Sequence, residues 1–128
     1  MDSEIKCLFP KLKTEHSVHW SISGHYMAVD DPRVEIPFGG YFLTDRFLGR
    51  QIVSGQMVDM GRVSIIIKGG YFDQVSGFNF LKQYDGDNEL IDYQFRKEGD
   101  IWVGGYGYRY RNEFVSGEAR CVVQALTD

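Results

Sequence analysis

Several things are scarce in this chain of 128 residues, and each scarcity excludes a class of protein. Cysteine occurs twice, as Cys7 and Cys121, so this is not a disulfide-dense secreted scaffold. No CxxC, HExxH, P-loop or GxSxG motif is present, so no redox, zincin, nucleotide or serine-hydrolase signature presents itself. No apolar run approaches the ~18 residues that a membrane-spanning helix needs, and no membrane partner is expected. Basic excess is missing as well. The net charge is −4, against the basic footprint of a nucleic-acid binder, and no nucleic-acid partner is expected. Helical periodicity is the last absence, for no segment repeats apolar residues at i, i+3, i+4 and i+7 over three turns.

What the chain does have is glycine and aromatics, with 15 Gly, 8 Tyr and 9 Phe against 3 Pro. These fall into alternating runs broken by turn residues. Residues 16–29 place Val18, Trp20, Ile22, Gly24 and Tyr26 on one face and His19, Ser21, Ser23 and His25 on the other, a period of two that predicts a strand. A loop over 28–37 follows, then strands over 38–48, 50–60 and 62–68. The segment after Gly69-Gly70 is either a bulge that prolongs the fourth strand or a turn. Strands over 77–84, 89–97, 101–111 and 114–126 complete the set, with Asp85-Gly86 as the strongest hairpin signal.

Eight short sequential strands must dispose of two sheet edges, and closure removes both. The expected fold is therefore all-β, an antiparallel up-and-down barrel of about eight strands, with 1–128 as one domain and 1–15 as an N-terminal arm. A two-sheet sandwich is the competitor. The Gly pairs at 39–40, 69–70 and 104–105 are read as corner kinks of the barrel. The opening MDSEIKCLFPKLKT has no apolar stretch of about 7–15 residues behind a basic start, so no secretory signal, a cytoplasmic location and two reduced thiols are expected.

The most distinctive strand is the seventh. Trp102, Gly104, Tyr106, Tyr108 and Tyr110 share one face, and Val103, Gly105, Gly107, Arg109 and Arg111 share the other. An inward aromatic row interrupted at Gly104 would leave a gap beside ring surfaces and wall a ligand; the plainer alternative is core filling. With the faces reversed, Arg109 would clamp an anion and the tyrosines would form an outer stripe for a homodimer. The candidate ligand-binding residues are thus Trp20, Tyr26, Trp102, Tyr106, Tyr108, Tyr110 and Arg109.

No catalytic set is picked out by spacing. His19 and His25 lie about 20 Å apart on a regular strand at ~3.3 Å per residue, so they do not share a metal, and no metal or cofactor is expected. Strand charges such as Asp45, Asp59, Asp92, Arg96 and Glu118 are expected mostly outside, and Arg109 or Asp92 would need a partner if turned inward.

Trp20 on the first strand and Arg120 on the last carry a resemblance to a family. The chain resembles the calycins, the superfamily of lipocalins, fatty-acid-binding proteins and avidins, in which an Arg from near the end of the last strand crosses a Trp on the first. The family's Gly two residues before the Trp is Val18 here. Allene-oxide-cyclase-like and dirigent-like barrels are similar in topology and size. The resemblance implies a barrel that holds a small, partly apolar ligand. Two other function classes stand beside it. One is a barrel enzyme of isomerase, cyclase or lyase type using an inward His, Asp or Tyr, and the other is a packed interaction or structural module.

Overall fold

A computed structural model describes residues 17–45, 50–67 and 69–126. The expected N-terminal arm, Cys7 and His16 lie outside the described residues. Every regular element among the described residues is a strand: β1 (Ser17–Met27), β2 (Glu35–Asp45), β3 (Ile52–Asp59), β4 (Arg62–Ile66), β5 (Tyr71–Asp73), β6 (Gly77–Tyr84), β7 (Ile91–Glu98), β8 (Ile101–Tyr110) and β9 (Glu113–Ala125). Consecutive strands pair antiparallel, apart from β4 with β5. β1 also pairs with β9, and β4 with β6, which closes an eight-stranded antiparallel barrel with β5 as an extra strand. β5 pairs with β6 through Phe72 opposite Phe78 and touches the β3 side through a Gln51–Tyr71 bridge, so it flanks the same strand that β4 pairs with.

The hairpins are set by local backbone chemistry. Met60 and Gly61 both have positive φ (50° and 72°), as do Arg111 and Asn112 (52° and 69°), the two-residue geometry whose twist matches paired strands. The first long link is shorter than 28–37, because Ile36 and Pro37 pair with Tyr26 and His25. Pro37 is tolerated inside β2 because pairing with β3 starts only at Phe38, so its missing N–H removes no bond on that side.

Closure depends on two glycines whose inward Cβ positions are taken by neighbouring backbone. A Cβ on Gly40 would lie 2.1 Å from the Gln56 carbonyl oxygen, and one on Gly104 would lie 1.8 Å from that of Gln94. Gly104 therefore leaves no gap beside the aromatic row; the space is filled by β7, and that expectation is corrected.

Period two sends one face of every strand inward. The inside of one half of the barrel is a buried aromatic cluster. Trp20, Phe42, Phe72, Phe78, Phe95 and Trp102 are all buried, with Phe72 4.7 Å from Trp20 and Phe78 5.0 Å from Trp102 between ring centroids. The Trp20 Nε1–H donates to Thr44 Oγ1 at 3.0 Å, which satisfies the one polar atom of the ring. Arg120 does not cross Trp20. It stands opposite His25 on the outward face of β9 and is exposed, so the Arg–Trp pair of the calycins is not formed. The likeness to that superfamily is one of general shape.

Candidate functional site

The other half of the barrel interior is polar, and its centre is an ion pair that spacing did not pick out. Lys82 follows Phe78 and Phe80 on the inward face of β6, and Asp59 ends the inward face of β3. Both side chains have 0% exposure, and Lys82 Nζ lies 3.4 Å from Asp59 Oδ1. The ammonium also donates to Tyr84 Oη at 3.2 Å and to Tyr93 Oη at 3.1 Å, so its three protons have three oxygen acceptors. The second carboxylate oxygen, Asp59 Oδ2, accepts from the hydroxyls of Tyr26 and Tyr84, each at 2.6 Å. Five side chains from β1, β3, β6 and β7 thus form one connected network. A buried charge pair survives only with this degree of satisfaction.

Burial and the Asp59 carboxylate shift the neighbouring groups. Desolvation, and then the hydrogen bond to Asp59, hold the Tyr26 and Tyr84 phenols protonated far above the ordinary range. Tyr93 is pushed the same way by desolvation, then by the charges of Tyr84 and Asp59. Burial lowers the Lys82 pKa, and Asp59 opposes that shift. The ring faces help to hold the cation, since Lys82 Nζ lies 4.6 Å from the centroid of Tyr84 and 5.0 Å from that of Tyr93.

Above this network the barrel mouth opens into a cavity of about 480 Å³, within the usual range for small-molecule sites. Tyr26, Tyr84, Tyr93, Tyr106, Tyr108 and Tyr110 line it, with Ile36, Ile91 and Met60 as apolar patches. Arg62 stands at the rim with its guanidinium 4.1 Å above the Tyr84 ring and 3.9 Å from Asp87. The shape depends on a third glycine. A Cβ on Gly117 would come within 2.6 Å of the Tyr106 ring, so only Gly lets Tyr106 fold flat across β9, where its hydroxyl donates to the Met27 carbonyl.

The sequence-predicted residues divide between two places. Tyr26, Tyr106, Tyr108 and Tyr110 come together at the mouth, with Tyr108 half-buried and Tyr110 54% exposed. Trp20 and Trp102 belong to the packed half and do not line the cavity. Arg109 and Asp92 are exposed on the outward face, and the inward pair is Lys82–Asp59 instead. A larger groove, about 590 Å³, crosses the outside of β7–β9 over Gly105 and Gly107. It marks missing side chains on an outer wall and lies away from the buried ionisable groups, so the mouth is the stronger candidate. Cys121 is buried in the barrel with a free thiol, whose pKa burial raises.

Among the described residues no group of three or more His, Cys, Asp or Glu is placed to hold a metal ion, and no helix is long and apolar enough to cross a membrane. Compared with protein-family models, curated proteins and solved structures, the chain matches none.

Proposed function

We propose that the protein binds a small, partly apolar, ring-bearing molecule in the mouth of the barrel. The observation that carries this reading is the cavity of about 480 Å³ with a tyrosine wall, seated above the buried ion pair. Rings offer flat apolar contact and phenol tips offer hydrogen bonds, a combination that suits a ligand both cyclic and partly polar. One hydroxyl supports it further. Tyr93 Oη accepts from Lys82, and among the described residues its own proton has no acceptor, although Tyr93 is 1% exposed and borders the cavity. A ligand oxygen would take that proton.

The test uses N-phenyl-1-naphthylamine, an uncharged ring-bearing dye whose fluorescence rises in apolar surroundings. The expected result is saturable one-to-one binding that Ala28→Trp, which fills the cavity from its wall, abolishes. Phe114→Ser in the outer groove leaves binding unchanged. Absence of saturable binding, or equal binding by the Ala28→Trp protein, overturns the reading.

The Lys82–Asp59–tyrosine network favours an acid–base enzyme as the second reading. Tyr84 borders the cavity and touches both charged partners, so it is the group through which a proton would pass between a bound molecule and the pair. Full burial of both charges beneath the phenols places binding ahead of catalysis. A packed structural module fits the aromatic half of the barrel but leaves the mouth cavity without a role.

A further inference from the structure

We infer that the ligand of the mouth cavity is a small ring-bearing amine in its ammonium form, with the ammonium at the rim between Asp30 and Glu89 and an oxygen acceptor at the floor against the Tyr93 hydroxyl. This rests on the reading of the mouth as a ligand site and adds the charge and orientation of what it holds.

The inference follows from which charges around the cavity already have partners. Lys82 and Asp59 neutralise one another beneath the floor. Three carboxylates border the cavity, Asp30, Asp87 and Glu89, against one guanidinium, Arg62, which leaves two negative charges in excess. Arg62 is engaged with Asp87 and lies over Tyr84. Among the described residues, neither Asp30 nor Glu89 has an ion-pair partner. Both carboxylates bear on the Tyr108 hydroxyl and help to hold it protonated, after desolvation, so they act on one side of the mouth. Asp30 acts on Tyr106 in the same sense. Arg111 lies 5.2 Å from the Tyr110 ring centroid and does not line the cavity.

Aromatic faces beside unpaired carboxylates attract an ammonium and repel an anion. Two other tyrosines of the cavity, Tyr84 and Tyr93, already host a cation in Lys82. The floor asks for the opposite polarity, because the free hydrogen-bonding function of Tyr93 is a donor. A molecule with an ammonium at one end of a ring and an oxygen at the other satisfies both ends.

Isothermal titration with three ring compounds of nearly equal size tests this: tyramine, its neutral alcohol analogue tyrosol, and 4-hydroxyphenylacetate, which carries a carboxylate instead. Tyramine is expected to bind about five- to ten-fold more tightly than tyrosol, as a partly exposed ion pair with aromatic help allows, and 4-hydroxyphenylacetate least. In the Asp30→Asn/Glu89→Gln protein, whose changes lie at the solvent-facing rim, the preference for tyramine over tyrosol is expected to vanish while tyrosol affinity stays. Tyr93→Phe is expected to weaken tyramine and tyrosol equally. Tyramine binding no better than tyrosol, a preference for 4-hydroxyphenylacetate, or a preference that survives the double substitution each overturns the inference. The dye titration keeps the two levels apart. Dye binding without amine preference removes only the cationic ligand, whereas loss of dye and amine binding together removes the mouth as a site.

Discussion

Removing the Asp59 carboxylate is expected to cost this molecule a large part of its stability. In Asp59→Leu the Lys82 ammonium stays at 0% exposure with only the Tyr84 and Tyr93 oxygens for company, and the Tyr26 and Tyr84 hydroxyls lose their acceptor. Breaking a buried pair from one side costs about 3–5 kcal/mol. At about 0.05–0.15 kcal/mol per residue, a chain of this length has about 6–19 kcal/mol in total, so one substitution removes a large share. Replacing both partners removes the uncompensated charge, and Asp59→Leu/Lys82→Met is expected to recover most of the loss, with an interaction energy of at least ~2 kcal/mol in the double-mutant cycle. Urea unfolding of the four proteins gives these quantities directly.

The single variant carries a second signature. With the raising effect of Asp59 gone, desolvation and then the charge of Arg62 act on Lys82 unopposed, and its folded pKa already lies below its ordinary value. Between that lowered value and about 10.4 the unfolded chain then binds more protons than the folded one, so stability rises with pH. The deficit of Asp59→Leu should shrink as the pH is raised towards 10. A deficit under ~1 kcal/mol that does not change with pH would refute the buried, mutually dependent pair.

Other outcomes follow from the same structure. Trp20→Ala should lower stability by ~3–5 kcal/mol, because it empties the space between Phe42 and Phe72 and leaves Thr44 without its donor; an unchanged urea midpoint would contradict this. In a Cys7→Ser protein, Cys121 should react with a thiol reagent only after unfolding, since it is buried and its pKa is raised; rapid labelling of the native protein would contradict its placement. Tyr26, Tyr84 and Tyr93 have folded pKa values above the unfolded ones, so the stability they contribute is fully present below about pH 10 and is lost as the pH rises beyond it. Lys82 acts in the opposite sense as the pH approaches its unfolded value, and three tyrosines outweigh one lysine; a midpoint that keeps rising above pH 10 would contradict the tyrosine network.

The barrel was legible because period two and turn chemistry are local. Val18, Trp20, Ile22 and Tyr26 alternate with polar residues, and Asp85-Gly86 and Glu98-Gly99 stand where the chain reverses, with Gly86 and Gly99 at positive φ. Strand ends were less legible, as at Pro37, because pairing with β1 carries β2 past a residue that by itself reads as loop. The same alternation that put Phe78 and Phe80 inward also put Lys82 there, so half of the buried pair was marked by phase alone. Its partner was not, since nothing within Asp59's own strand says that β4 pairs with both β3 and β6 and so brings their inward faces together. Gly104 failed for a related reason. An absent side chain reads as space, but the Gln94 carbonyl fills it, and only closure determines that.

Mapping the dye onto the folded chain by nuclear magnetic resonance tests the ligand site most directly. As N-phenyl-1-naphthylamine is titrated, resonances of Tyr84, Ile91, Tyr93 and Tyr106 should shift together and saturate, while those of Gly105, Gly107 and Phe114 on the outer wall stay in place. Shifts confined to the outer groove, or none at the mouth at saturating dye, would contradict a barrel that holds its ligand above the Lys82–Asp59 pair.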